Sequence, residues 1–144
     1  MRLWHVDLLP YLPDLQFKGQ LRELVAIMRD WRDKWKTNHL LINKVMEYPK
    51  NELVMYYRQY EHIYRKRYGK NPNVKYRVEM RAFGGAERGD MYKNSWHNKE
   101  YLRVCMANLY EKHYFGVGKT RITDEEWNRL LEGYKTLTGE NYVI

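Results

Sequence analysis

The feature that most constrains the fold is a helical spacing of apolar residues that recurs along the chain. Near the amino terminus apolar side chains follow one another every three or four positions and form one stripe: Phe17, Leu21, Leu24, Val25, Met28 and Trp31. Similar stripes occupy 53–64, 102–109 and 127–134, and a shorter one lies within 38–48. Only 74–80 alternates as a short strand would, and weakly. The pattern predicts a mainly α fold.

Residues that begin and end helices divide these stripes into separate elements. Asp14 is the expected N-cap of the first long helix, and Asn98 and the Thr123–Glu126 capping box begin two later ones. Another helix starts after Pro49 and ends at Gly69.

The first twelve residues are apolar but contain Pro10, so they are expected to form an extended arm. At 144 residues the chain should be one domain, 1–144. We therefore predict a compact single-domain helical bundle with an extended N-terminal arm and one long basic loop.

The charge balance indicates the class of partner. Lys and Arg number 26 against 18 Asp and Glu, which gives a net charge of +8. Such a domain is attracted to polyanions, nucleic acid first and acidic membrane second, although a basic protein without such a partner is the simpler alternative. A single cysteine rules out an intramolecular disulfide, and no apolar run is long enough to span a membrane. With no recognisable signal peptide, a cytoplasmic location is expected.

Two motifs are considered and set aside. Gly116–Thr120 resembles a phosphate-binding loop, but His113 stands where that motif needs its first glycine and no strand precedes it. The five histidines show no metal-ligand spacing, so no metal or cofactor is predicted. Cys105 lies on an apolar helical stripe and is expected in the core.

The glycine-rich segment is of interest for its aromatic residues. Tyr114 and Phe115 lie beside Lys119 in a flexible basic loop, an arrangement suited to stacking on nucleic-acid bases. A loop packed on the domain explains the same residues equally well.

The free α-amine of Met1 and the helical carboxylate of Glu23 are the most reactive candidate pair. An α-amine has a reference pKa near 8, against about 10.4 for lysine, so part of it is neutral and nucleophilic at pH 7. Glu23 lies opposite the apolar stripe, where a solvated glutamate is the alternative. If the fold brings the two together, they form a small covalent active site.

The same residues resemble a known family. The motifs Met1–His5, Leu12–Pro13, Gly19–Gln20 and Arg22–Glu23 are similar to the opening of pyrimidine-dimer DNA glycosylases of the phage endonuclease V type. Arg58–Ile63 resembles the second long helix of that prototype, and Leu109–Lys112 resembles part of its third. The resemblance covers 1–69 well and 98–116 loosely.

This resemblance implies a DNA-repair glycosylase with AP-lyase activity that needs no metal or cofactor. In the family the terminal amine attacks C1′ of a damaged nucleotide, a Schiff base forms and β-elimination cuts the strand. The implied catalytic residues are Met1, Glu23 and Arg22, with Arg2 and Lys112 on phosphates. Because Arg2 is too large for the usual removal of the initiator, Met1 is expected to be retained.

Further DNA contacts are expected from Gln16 and Gln20, which share the face of Glu23, and from the aromatic loop. The expected partner is double-stranded DNA with a lesion, bound by a monomer without a membrane. One alternative is a non-catalytic module of this fold that recognises distorted DNA or RNA by charge and stacking. Another is a protein-interaction scaffold whose Tyr and Trp surplus forms a partner surface.

Overall fold

Six α-helices make up the computed structural model in the described residues, which are 2–34, 40–85, 88–93 and 95–144. In chain order they are α1 Asp14–Lys34, α2 Leu40–Met46, α3 Lys50–Tyr68, α4 Val74–Gly84, α5 Lys99–Tyr114 and α6 Asp124–Thr138. Two short 3₁₀ helices, Val6–Tyr11 and Gly118–Thr120, complete the set, and these ranges contain no strand. The mainly α prediction is confirmed. The helix predicted over 38–48 is α2, although 38 and 39 lie outside the described part.

The N-terminal segment is not an extended arm, which corrects the prediction for residues 1–12. Its 3₁₀ helix begins where the His5 Nδ1 accepts a hydrogen bond from the Asp7 amide at 3.1 Å, and Leu8 and Leu9 are fully buried. The segment contacts α3 and α6. Most of its side chains are apolar and buried, so the segment is stabilised by burial against the surrounding helices. It shows no amphipathic periodicity that would have indicated this.

Aromatic side chains join α1, α3 and α6 around this segment. The rings of Phe17 and Tyr60 stack at 4.4 Å, and the Tyr60 hydroxyl donates to the Phe17 carbonyl at 2.7 Å. On the other side Tyr11 lies directly against Gly133, where an added Cβ would come within 2.5 Å of the ring. A residue without a side chain is therefore needed for α6 to approach this closely.

Residues 74–84 form α4, so the predicted short strand is wrong. Asn73 caps the helix by accepting from the Lys75 amide at 3.0 Å. Tyr76, Met80 and Phe83 pack on the core at spacings of four and three, and this helical stripe decides against the weak alternation.

Helix ends follow the sequence signals except at α1. Asn98 and the Thr123–Glu126 capping box act as predicted, and Gly69 ends α3 with a φ of +70°. Asp14 does not cap α1: the Pro13 carbonyl accepts the first amide hydrogen bond, and the Asp14 carboxylate instead accepts from Arg67 and Tyr68 on α3.

Buried Glu52 holds the segment between α4 and α5. Its carboxylate accepts from the backbone amides of Asp90 at 3.2 Å and Tyr92 at 3.0 Å. Met91 and Tyr92 both adopt positive φ, 57° and 67°, which costs conformational energy in non-glycine residues. The two hydrogen bonds offset this strain, while burial raises the pKa of Glu52.

No helix in the described ranges combines the length and the apolar character that a membrane crossing requires.

Two histidines lie inside the core beside the N-terminal segment. The rings of His5 and His97 stack at 5.2 Å, and His97, only 2% exposed, accepts from the Val6 amide through Nδ1 at 3.1 Å. Burial lowers the pKa of His97 to about 2, with His5 adding to the shift, and burial also lowers the pKa of His5. Both rings are therefore neutral in the folded protein at pH 7.

This arrangement predicts that acid destabilises the fold well above the range where carboxylates titrate. The pKa of His97 is about 2 in the folded state and about 6.5 in the unfolded chain. The stability that the neutral ring contributes is therefore fully present above pH 6.5 and is lost as pH falls. The free energy of unfolding should fall by up to about 1.4 kcal/mol per pH unit for this group below about pH 6.

Urea unfolding at several pH values measures this slope. His97→Asn keeps an acceptor for the Val6 amide but cannot titrate, so the free energy of unfolding should depend less on pH. Packing lost in this variant lowers the stability equally at every pH and leaves the slope unaffected. Equal slopes in both proteins would contradict the assignment.

Candidate active site

The backbone of residues 2–4 is fastened to α1 by two polar side chains. The Arg2 amide donates to Glu23 Oε2 at 2.8 Å. Gln20 Nε2 donates to the Arg2 carbonyl at 2.8 Å, and Gln20 Oε1 accepts from the Trp4 amide at 2.8 Å. Residues 2–4 are thereby held against α1, with the Arg2 amide on the half-buried carboxylate of Glu23.

Two tyrosines from other helices complete this attachment. The Tyr56 hydroxyl on α3 donates to the Trp4 carbonyl at 2.5 Å. The Tyr101 hydroxyl on α5 donates to the Leu3 carbonyl at 2.6 Å. Since buried backbone groups need partners, these bonds make an irregular segment stable inside a helical core. The sequence does not reveal the role of either tyrosine, because nothing local to these residues indicates that their hydroxyls reach this segment.

Gln20, predicted to contact DNA, has no exposed surface in this structure. Both ends of its amide are used within the protein, so it orients the N-terminal segment instead. Gln16 lies one turn before Gln20 on the same face and is half-buried. Its Oε1 is buried and makes no hydrogen bond with the described residues.

Two guanidinium groups accompany the carboxylate. The Arg2 guanidinium, half-buried, lies over the Trp4 ring at 5.3 Å, a cation–π contact. Arg22 is exposed, and its Nη2 is 3.6 Å from where a Cβ on Gly19 would be. A Cβ at Gly19 would make only an ordinary van der Waals contact with Arg22, so packing does not require a glycine at this mid-helix position.

A recess of about 220 Å³ opens beside Arg2. Its walls include Trp4, Tyr101, Cys105 and Asn108. Cys105 is 1% exposed, as predicted for a core residue, and burial raises the pKa of its thiol to about 11. The recess is smaller than most ligand pockets, which span about 300–1,000 Å³, and suits a group of one or two rings.

From this recess α5 leads to several of the predicted DNA contacts, and Tyr114, predicted in a loop, is instead the last residue of this helix. Asn108, Lys112 and Phe115 are spaced by four and three, so they share one face. Lys112 is half-buried, whereas Tyr114 and Phe115 are 64% and 72% exposed. The rise of 1.5 Å per residue places Phe115 about 10 Å beyond Asn108 along the helix axis.

The loop after α5 is anchored to the helix, and Tyr114 and Phe115 are exposed where the helix ends. The Ile122 amide donates to the Lys112 carbonyl at 3.2 Å, closing the loop on the helix end. Lys119 is exposed in the second 3₁₀ helix. The sequence left open whether this loop packs on the domain, and the structure leaves Tyr114 and Phe115 accessible to a ligand.

Met1, the predicted nucleophile, lies outside the described residues. Among those that are described, no three His, Cys, Asp or Glu side chains are grouped as metal ligands would be.

Comparison with known proteins assigns the family. Residues 1–76 match the family model of pyrimidine dimer DNA glycosylase, a range that runs from the N-terminal segment through α3 and includes Glu23 and Gln20. No curated protein and no solved structure matches the chain. The matched range is more than half of the 144 residues. The chain belongs to the pyrimidine dimer DNA glycosylase family.

Proposed function

We propose that this protein is a DNA-repair glycosylase with AP-lyase activity that acts on pyrimidine-dimer lesions through its α-amine. The observation that carries the proposal is the 2.8 Å hydrogen bond from the Arg2 amide to Glu23 Oε2. The α-amine of Met1 is joined to the Arg2 nitrogen by three covalent bonds, so it cannot be farther than about 4 Å from it. Nucleophile and carboxylate are thereby confined to one small region.

In the first step the neutral amine attacks C1′ of the damaged nucleotide, and the C1′–N glycosidic bond breaks with its electron pair leaving on the base. The transition state resembles an oxocarbenium ion, which the carboxylate of Glu23 stabilises electrostatically. We assign to the positive charges of Arg2 and Arg22 the role of opposing the Glu23 carboxylate, which by itself would favour the protonated amine.

In the second step the amine nitrogen loses a proton, the C1′–O4′ bond opens and O4′ is protonated, which leaves a Schiff base at C1′. Glu23 is placed to carry the proton from nitrogen to O4′. Removal of a C2′ proton then expels the 3′ phosphate by β-elimination. Hydrolysis of the Schiff base releases the cut strand and restores the amine.

Binding is supplied by charge and by the exposed aromatic residues. The net charge of +8 attracts duplex DNA of any sequence, and Lys112 and Lys119 are assigned to phosphates. Tyr114 and Phe115 are assigned to stacking on bases exposed when the duplex opens. Flipping costs a few kcal/mol and least at a damaged base, so this step also contributes selectivity.

The Schiff base predicts a covalent adduct. Borohydride added to the protein and an abasic duplex should trap one adduct per chain, and peptide mapping should place it on the nitrogen of the first residue. A short N-terminal extension should abolish trapping, because it moves the amine away from Glu23. The same extension at the C-terminus is the matched control. Full trapping with the N-terminal extension would contradict the α-amine as nucleophile.

A second prediction concerns Glu23 itself. Glu23→Gln keeps an acceptor for the Arg2 amide but loses the charge and the proton carrier, so base release from a thymine-dimer duplex should fall by about 10²–10⁴-fold. Single-turnover rates and DNA affinity should be measured together, with affinity changing little. Glu132→Gln, the same change at an exposed site on α6, is the control. An unchanged rate would remove the proposed role; DNA binding without any turnover in the native protein would indicate a non-catalytic module.

The positioning role of Tyr101 can be separated from simple stabilisation. Tyr101→Phe and Tyr60→Phe each delete one hydroxyl that donates to a backbone carbonyl, at 2.6 and 2.7 Å. Each should cost about 1 kcal/mol of unfolding free energy. Only Tyr101→Phe should slow trapping at saturating DNA, because only that bond holds Leu3 beside the reacting amine. Equal rates for the two variants would show that Tyr101 is merely structural.

A further inference from the structure

A second positively charged concavity lies away from the Arg2–Glu23 site. A groove of about 780 Å³ runs between α3, α4 and the residues Gly85, Arg88, Gly89 and Met91. Five arginines line what we call the arginine groove: Arg58, Arg65, Arg77, Arg81 and Arg88. Among the described residues that line it, the one carboxylate is that of Glu61, so these described groups have a net charge of +4.

Intramolecular pairing uses only part of this charge. Glu61, buried, contacts Arg77 at 2.8 Å and Arg65 at 3.7 Å. Arg58, Arg81 and Arg88 are exposed and form no ion pair with the described residues. The groove therefore presents three guanidinium groups to solvent, from three different parts of the fold.

The backbone that carries Arg88 is held in place. Asn51 Nδ2 donates to the Arg88 carbonyl at 3.0 Å, and Gly89 lies so close to Glu52 that an added Cβ would be 2.2 Å from its Oε1. This wall of the groove is thus preorganised, which lowers the entropic cost of binding an anionic ligand.

The floor differs chemically from the rim. Val54, Tyr57 and Met80 are 3%, 1% and 1% exposed and give an apolar base. Tyr57 and Glu61 also line the groove, where burial raises the pKa of the Tyr57 hydroxyl and the neighbouring Glu61 carboxylate adds to the shift.

The groove is separate from the candidate active site. Tyr56 on α3 points to the N-terminal segment, where its hydroxyl bonds to the Trp4 carbonyl. At about 100° per residue, Arg58 and Arg65 project roughly 180–200° around the helix from Tyr56. The arginine groove therefore opens on the opposite side of α3 from the segment that carries Arg2.

We propose that the arginine groove is a second nucleic-acid site that binds single-stranded DNA. The unpaired guanidinium groups at its rim match phosphodiester oxygens in charge and geometry. The apolar floor of Val54, Tyr57 and Met80 matches the apolar face of a nucleobase. A duplex keeps its bases stacked inside, so only its phosphates would reach this site, and the recess favours a single strand. The site is independent of chemistry at Glu23 and goes beyond the proposed function.

Fluorescence anisotropy with a labelled oligothymidylate of about 12 nucleotides tests the proposal. The double variant Arg58→Gln, Arg81→Gln should weaken binding at least tenfold. It should also make the plot of log K against log salt concentration less steep by about 1.4, because each contact with a single-strand phosphate contributes about 0.7 to that slope. Lys70→Gln with Lys135→Gln removes the same charge from exposed lysines elsewhere and should change affinity less than twofold.

Two further arms distinguish this site from the catalytic one and from other ligands. With saturating oligothymidylate present, the rate of borohydride trapping on a short abasic duplex should change less than twofold. Glu23→Gln should bind the oligonucleotide with the affinity of the native protein, even if no adduct ever forms. Equal losses in the two double variants, or preferential binding of duplex DNA or of polyglutamate, would overturn the proposal.

Discussion

The attachment of the N-terminal segment to α1 is the interaction on which the rest of the structure depends. Gln20 and Glu23 bind the backbone of residues 2–4 through three hydrogen bonds of 2.8 Å, inside a core that would otherwise exclude irregular backbone. A buried amide or carbonyl without a partner costs about 1–3 kcal/mol, so these side chains make the buried segment possible. Because that segment is enclosed by α1, α3 and α5, the same bonds also fix how the helices meet.

The aromatic surplus has two separate uses in this protein. Tyrosines inside the core supply both packing area and a hydroxyl that satisfies a backbone carbonyl, as Tyr56, Tyr60 and Tyr101 do. Tyr114 and Phe115, by contrast, are exposed at the C-terminal end of α5. Composition alone does not separate the two classes, because the same residue type serves in both and only its surroundings differ.

The distribution of acids explains where positive charge remains. Glu79 pairs with Arg29 and Arg32, Glu61 pairs with Arg77, and Glu52 is occupied by backbone amides. These contacts neutralise arginines on the sides of α1 and α4. The cations left over include Arg2 and Arg22 and the three exposed arginines of the arginine groove, and the overall charge of +8 gave no indication of where they lie.

Local sequence determined the helices at 50–68, 99–114 and 124–138, because their apolar spacing and their capping residues are short-range and agree with each other. It also carried the family resemblance, which the match over residues 1–76 bears out, whereas the role of Glu23 stays a prediction. Tertiary structure decided the remainder. Three features depend on partners 16 or more residues away: the helix at 74–84, the burial of the N-terminal segment and the inward-facing position of Gln20. The periodicity within one sequence window carries no information about such contacts.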